Sequence, residues 1–482
     1  MVCAMAIEVP MVRLGGDYAS LDSREVAEPR AGGVLARVGL ANAGLVRRDA
    51  RRAGEAAAAL RAVPTRARVA ICEAAAEIFA GAALPVGEGG AGVGFEEYLA
   101  LVSATTGLPL ALCREHAGKL ERALAGMGRI FGGLTRGLAP ELLDAMAGEE
   151  GGVPVSFHPT ADTLAVLLPS NAPGVNALWL PALALGCPVA LKPGQGDPFT
   201  PLRLVRALVA AGMPPAALSY YPGEHEAGQA LLGAHARAMV FGDAATVAKL
   251  ADRPGMQAHG PGFSKILLGD DAASSWPEFL DLFETSVVSG AGRSCINAST
   301  IVVPSGADAL ADALAERLAA ITPRALDDPA ARLAGFVDPR LPEAIDRAID
   351  ASLRTPGATD LTARHRAEPR LVTAHGQRFL LPTVVRCHDP EHPLARQEYL
   401  FPFVAVVEVP TAAAPGWLGP TLSLTLITDD ATLRAAVLRR PEIDRVNLGP
   451  IPTSRVDHGQ PHQGNLFELL WRRRALQRDP AP

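Results

Sequence analysis

Lysine is nearly missing from this chain: Lys119, Lys192, Lys249 and Lys265 are its only lysines, and arginine carries the remaining positive charge. The bias makes each lysine informative, and two fall in segments that carry candidate chemistry, Lys192 among them. No excess of positive charge exists either. The formal net charge is −6 and the only basic run is residues 472–474, which leaves no electrostatic footprint for nucleic acid. The longest apolar region, 163–191, is interrupted by Pro169, Asn171, Pro173 and Pro181, so it cannot be a membrane span. Paired cysteine spacing is absent as well. Cys3, Cys72, Cys113, Cys187, Cys295 and Cys387 are scattered through a long chain, which implies reduced thiols and a cytoplasmic location. Glu8 precedes any positive charge, so residues 1–16 do not read as a signal peptide.

With 482 residues the chain can form two or three lobes with sizeable cores. Residues 1–40 read as an irregular leader, with Gly-Gly pairs beginning at Gly15 and Gly32. From 41 to 147, alanine, leucine and arginine recur at helical spacing with breaks at Pro64, 81–94, and Gly132 and Gly133, giving four or five helices. Gly87, Gly89 and Gly92 fit G-x-G-x-x-G, but helical sequence precedes them and no second strand follows, so the match is a glycine-rich turn.

A strict alternation follows. Strands at 163–168, 188–191, 218–221 and 238–241 alternate with helices at 176–185, 201–211, 227–232 and 244–251, and Thr200 and Pro201 make an N-cap and first-turn pair. Such repeated units predict a parallel sheet covered on both faces, with ligands beyond the carboxyl ends of its strands. Asn171, Lys192, Gly223 and Gly242 each follow a predicted strand. After residue 262 a second α/β region begins: helix 278–288, strand 300–303, helix 307–321, and a less regular middle to 377. Strands at 382–386, 403–409 and 422–427, a helix at 431–439 and a strand at 445–448 complete it.

Cys295 lies in the connection 289–300, SGAGRSCINAST, between a helix and a β-branched run. Gly290 and Gly292 allow close backbone approach there, and Arg293 offers a positive field that favours thiolate. A free thiol has a pKa of about 8.5, and each unit of lowering needs about 1.4 kcal/mol. Unpaired cysteines are more often small buried hydrophobes, so the surrounding sequence must decide.

The segments PSNAPG (169–174), ALKPGQGDPFTP (190–201), YYPG (220–223), VFGDAATV (240–247), GRSC (292–295) and EYLFPF (398–403) occur in the order found in the aldehyde dehydrogenase superfamily, which the chain resembles over about residues 40–470. The resemblance implies an α/β, two-lobed fold. A Rossmann-like parallel sheet domain with the N-terminal helices (1–262) would be joined to an α/β catalytic domain (263–450), with the active site in the cleft between them. A C-terminal segment (451–482) would return toward the first domain. It implies NAD or NADP as cofactor, with coenzyme A as a further co-substrate, and a small-molecule aldehyde or acyl thioester as substrate. Nucleic acid and membrane are not expected partners; a second copy of the chain is, as a dimer, although little sequence follows Arg474 for the family's terminal strand.

By the same resemblance Cys295 is the nucleophile, and Asn171 and the backbone N–H of Cys295 stabilise the oxyanion, each such donor being worth about 3 kcal/mol of barrier. Lys192 matches the lysine on the adenosine ribose. Ser170, Gly223, Phe241 and Gly242 fall in the cofactor-binding segments, and Glu398 and Phe401 match residues that position the nicotinamide end. No residue set is expected to hold a metal: Pro390 and Pro393 break up His388 and His392 beside Cys387, and Pro461 separates His458 from His462.

Three departures from the family pattern stand out. Gln195 occupies the place of a glutamate that grips both ribose hydroxyls, and a neutral amide admits NADP beside NAD. His259-Gly260-Pro261-Gly262 replaces the Glu-Leu-Gly-Gly of hydrolytic members. His259, a structural histidine on the plainer reading, would then activate the deacylating water, or the thioester would exchange with coenzyme A as in the acylating, acyl-CoA-reductase branch. Asp243 stands where glycine or serine is common and reads equally as a helix N-cap. The expected activity is NAD(P)-dependent oxidation of an aldehyde to an acid, or interconversion of aldehyde and acyl-CoA. A cysteine-dependent acyltransferase or thioester hydrolase without redox chemistry is the alternative.

Overall fold

A computed structural model describes residues 6–27, 33–87, 92–250, 253–477 and 479. Cys3, Gly32, Gly89 and Ala251 lie outside the described residues. The chain divides into two units: residues 1–105, 114–259 and 458–482 form the first, and 106–113 with 260–457 the second.

The first unit is built on a sheet whose five central strands are all parallel, in the order Met256–His259, Arg237–Phe241, Leu164–Leu167, Val189–Lys192, Leu218–Tyr220. Numbered along the chain this is 5-4-1-2-3, a doubly wound order, and the strand order reverses between Leu164–Leu167 and Arg237–Phe241. Helices Phe199–Ala210 and His225–Ala234 supply two of the crossovers. Ala165, Ala190, Ala230, Leu231, Ala238 and Val240 pack one face of this sheet, small residues letting helix and sheet approach closely.

Several expectations need correction. The leader is not irregular: five short strands lie within residues 7–39, and Val12 pairs antiparallel with Tyr220 to extend the main sheet. These strands have three to six residues, too few for an alternation to register. The described residues of 41–147 hold seven helices rather than four or five. The helix expected at 176–185 is two pieces, a 3₁₀ segment Pro173–Leu178 and a turn Pro181–Ala184, because Pro181 has no N–H to continue the ladder. Thr200 is not the cap of its helix: Phe199–Ala210 starts earlier, and Asp197 Oδ1 accepts the Thr200 N–H at 3.0 Å. The Met256–His259 strand was not anticipated, since Gln257 and His259 disguise it as a loop.

The second unit carries a seven-stranded sheet ordered Ala358–Asp360, Thr383–Cys387, Phe403–Glu408, Ala298–Val303, Ser264–Leu268, Thr421–Ile427, Ile443–Leu448. Only its Ala358–Asp360 edge is antiparallel. Separate apolar clusters cover its two faces, which is why Ala298–Val303 is buried at every position, Ser299 and Thr300 included. The middle taken as irregular contains a helix, Arg340–Leu353, and a hairpin, Leu371–Ala374 with Gln377–Leu380. Near the carboxyl end, Trp471–Arg474 pairs antiparallel with Val153–Pro159 in the first unit. Among the described residues no helix is long and apolar enough to cross a membrane.

Candidate active site

The cysteine loop takes its shape from backbone torsions. Helix Leu280–Val288 ends, and Gly290, Ala291 and Gly292 follow with φ of 60°, 59° and 68°. Gly292 has no alternative residue: a Cβ there would overlap the backbone of Phe401 and Pro402. Asn297 ties the loop closed. Its Oδ1 accepts the Ser294 N–H at 2.9 Å, and its Nδ2 donates to Ser286 O at 3.0 Å and Ser289 O at 2.9 Å. Cys295 is thereby delivered three residues before the buried Ala298–Val303 strand. From the neighbouring strand, Ser264 Oγ donates to Cys295 O at 2.8 Å, and a Cβ on Gly262 would strike the Cys295 carbonyl.

Of the five described cysteines, none is in a disulfide; Cys72, Cys113, Cys187 and Cys387 are buried, and Cys295 alone keeps partial exposure. Its thiol is nevertheless pushed up to about 12, first by desolvation and then by the negative charge of Glu398. The Ser294 hydroxyl and the N–H groups of Cys295 and Ile296 act in the opposite sense, as donors to sulfur. Arg293 does not provide the activating field expected of it. Its guanidinium is spent on Thr106 O and Gly335 O, both at 2.8 Å, and lies 4.8 Å from the Phe336 ring centre, a structural clamp within the second unit. Burial pushes even this arginine down to about 10.

Glu398 is held at the same loop. Its Oε2 accepts the Phe263 N–H at 2.7 Å, and burial raises its carboxyl to about 8 against the help of the Gly262 and Phe263 N–H groups and of Lys265. Lys265 is buried, donating to Phe263 O at 2.7 Å, Thr421 Oγ1 at 2.9 Å and Pro420 O at 3.1 Å; desolvation, then Arg396, pulls it down to about 7. The Phe263 peptide thus holds a carboxylate on its N–H side and an ammonium on its C=O side, with φ at 45°. Phe401 is a core aromatic, its ring centre 6.2 Å from that of Tyr399 and 6.1 Å from that of Phe403, and its backbone lies against Gly292 of the cysteine loop.

In the first unit the remaining candidates gather at the carboxyl ends of the parallel strands. Asn171 is half-buried in the turn after Leu164–Leu167. Ser170 is a strut between loops: its Oγ accepts the Gly196 N–H at 2.9 Å, and Gly194 packs so closely on Pro169 and Ser170 that no side chain fits there. Lys192 ends its strand with its stem alongside Gly228, and burial lowers its pKa while Glu224 opposes the shift and Arg24 adds to it. Gln195 is exposed; Gly223 sits against Ala227 and the carbonyl of Ala41. Gly242 donates its N–H to His259 O at 3.0 Å, and Asp243 Oδ1 caps the next helix at Thr246 N, 2.8 Å. That carboxylate, with its pKa lowered by the Thr246 bonds, occupies a helix start that hydrolytic family members leave to glycine or serine.

His259 is paired in register with Phe241 and stacked on it, ring centres 4.6 Å apart, with His462 behind it at 5.9 Å. Its Nδ1 faces Gln463 Oε1 at 2.8 Å, and burial lowers it to about 4, so it is neutral near pH 7. Its buried Nε2 meets no partner among the described residues. Sequence reasoning missed Gln463, Glu224 and Arg24. Glu224 could have been noticed, since it directly follows the YYPG segment; the other two come from stretches far away in sequence. Among the described residues no group of three or more histidine, cysteine or acidic side chains is arranged to hold a metal.

These turns suit a dinucleotide: tight glycine turns bring backbone close at 194, 223 and 242, and a lysine and an amide stand at the end of the second strand. The comparisons with known proteins bear on the fold and the family. N-succinylglutamate 5-semialdehyde dehydrogenase 2 of Caulobacter vibrioides is 29% identical over 312 residues, 60% of this chain and 61% of that protein. The chain thus matches less than two thirds of that relative's length. The aldehyde dehydrogenase KauB of Pseudomonas aeruginosa superposes with a TM-score of 0.79 at 18% identity, covering 98% of this chain and 97% of its own. An aldehyde dehydrogenase C mutant from Pseudomonas syringae, solved with NAD+ and octanal, gives 0.78 at 21% identity, covering 97% and 96%. These structures share the fold, and residues 18–414 match the aldehyde dehydrogenase family, to which the chain belongs.

Proposed function

We propose that the protein is an NAD(P)-dependent aldehyde dehydrogenase that works through a covalent adduct on Cys295. The observation that carries this is the cysteine loop: a cysteine that as a residue keeps partial exposure, locked by left-handed torsions and Asn297, with the Ser294 hydroxyl and two backbone N–H groups turned onto its sulfur. The Cys295 thiolate adds to the aldehyde carbon to give a thiohemiacetal oxyanion. The Cys295 N–H and the Asn171 amide stabilise that oxygen. A bound nicotinamide supplies the hydride acceptor, and the acyl group remains as a Cys295 thioester. Lys192, Gln195 and the glycine turns at 223 and 242 hold the nucleotide, with Ser170 bracing the 193–196 turn and Phe241 its neighbour; Glu398 and the Phe401 backbone frame the nicotinamide end.

The thioester leaves either by hydrolysis or by transfer to coenzyme A. Transfer is favoured by one feature: the hydrolytic members' carboxylate is replaced by His259, whose Nδ1 faces Gln463 and whose surroundings are desolvated. Hydrolysis requires the Nε2 lone pair of that neutral imidazole to reach a water. Assays of NAD(P)H formation from aldehyde, with and without coenzyme A, decide. Formation that Cys295→Ala abolishes supports the reading, and dependence on coenzyme A selects transfer. Turnover without nicotinamide reduction would favour a plain acyltransferase or thioesterase.

A further inference from the structure

Two exposed side chains meet beyond the carboxyl ends of the second and third parallel strands. Gln195 stands where the family pattern has glutamate, and its Nε2 donates to Glu224 Oε2 at 2.8 Å. The backbone on either side of Glu224 is fixed: Gly223 before it is wedged against Ala227 and the Ala41 carbonyl, the Ala41 N–H binds Pro222 O at 2.6 Å, and helix His225–Ala234 starts directly after it. We infer that Glu224, acting with Gln195, selects the dinucleotide by its ribose, accepting a free 2′-hydroxyl and disfavouring a 2′-phosphate, so that NAD is preferred to NADP.

The inference rests on the proposed seat of the adenosine ribose at Lys192 and Gln195, and it narrows what the amide alone leaves open. With one of its two N–H donors committed to Glu224, the Gln195 amide offers its oxygen as an acceptor and keeps one donor; an ionised carboxylate is acceptor-only. Two acceptors suit the O–H donors of an unmodified ribose. A 2′-phosphate brings acceptors of its own and negative charge, so it meets unpaired groups and repulsion, the means by which a site rejects a near-identical ligand. Two cations weigh on the other side. Arg24 donates through Nη2 to Gln195 O at 2.8 Å and keeps its charge beside the pair, and Lys192 has Glu224 as the charge that offsets its burial. Gln195 and Glu224 are both exposed, so water screens the repulsion and the discrimination is moderate, about tenfold.

The test is direct binding of NAD+ and NADP+ to the full chain without aldehyde, by calorimetric titration of the wild type, Glu224→Gln and Lys192→Gln, each checked for unchanged thermal melting. The wild type is expected to bind NAD+ about tenfold more tightly than NADP+, Glu224→Gln to bring the two within about threefold, mainly by tightening NADP+, and Lys192→Gln to weaken both. A wild type that prefers NADP+ overturns the inference, as does an unchanged ratio in Glu224→Gln while Lys192→Gln weakens both; in that second case the ribose seat survives. Undiminished binding of both nucleotides by Lys192→Gln removes the seat itself, and the inference with it.

Discussion

Charge is treated in opposite ways at the Gln195–Glu224 edge and in the Cys295 loop. At the edge, Gln195 and Glu224 stand in water, where a unit charge a few ångströms away is worth about 1 kcal/mol. In the loop, Cys295, Glu398 and Lys265 are desolvated together; the thiol and the carboxyl are driven toward their neutral forms at about 12 and about 8, and the ammonium toward its own at about 7. The first region can discriminate between ligands by moderate factors. The second can hold a resting thiol that ionises only when something adds favourable charge or hydrogen bonds beside it.

The largest effect expected is from Cys295→Ala, which should lower aldehyde-dependent nicotinamide reduction by about 10³-fold or more while leaving nucleotide binding in place. Loss of binding as well would make Cys295 a packing residue like Cys187. Gly292→Ala should come next: with φ at 68° and the Phe401–Pro402 backbone against it, it should cost about 1–3 kcal/mol, read as a lower Tm or denaturant midpoint. Gly376→Ala, at φ 74° with nothing near the added methyl, gives the control for torsion alone.

A third prediction tests the coupling inside the loop. Because Glu398 raises the Cys295 thiol when it is ionised, Glu398→Gln should speed alkylation of Cys295 by about tenfold at pH 9, above the carboxyl's own pKa of about 8, and much less at pH 7. In the wild type the alkylation rate should still be rising at pH 10. A plateau by pH 8 would show that the thiol is not desolvated. The smallest effect concerns stability. Glu398 binds its proton more tightly folded than unfolded, so its contribution is fully present below its ordinary value and is lost as pH rises through about 8. Between pH 5 and 8 the denaturant midpoint of Glu398→Gln should fall less than that of the wild type.

The comparison also shows what sequence could and could not convey. The parallel sheet of the first unit was legible because its strands are buried on both faces and read as apolar runs punctuated by Pro169, Pro193 and Gly223. The cysteine loop was legible as a glycine-bearing connection, but its electrostatics were not. Arg293, two residues from the thiol, turns away to Thr106 and Gly335, whereas the charge that adds to desolvation at the sulfur is that of Glu398, about a hundred positions later. Sequence distance says little about electrostatic distance. The leader strands were hidden for a simpler reason: three-residue strands such as Met11–Arg13 are held by pairing with Tyr220, not by any pattern of their own. Gln463 reached His259 from the far end of the chain, beyond any local signal.

The central claim is a covalent acyl group on one particular sulfur, and it is tested most directly by acid-quenching the enzyme seconds after mixing with NAD+ or NADP+ and an aliphatic aldehyde, then mapping the peptides by mass spectrometry. The account predicts an acyl mass increment on the peptide containing Cys295 and on no other cysteine peptide, formed only when the nucleotide is present. Nicotinamide reduction with no increment on that peptide, or an increment on Cys113 or Cys387 instead, would contradict it.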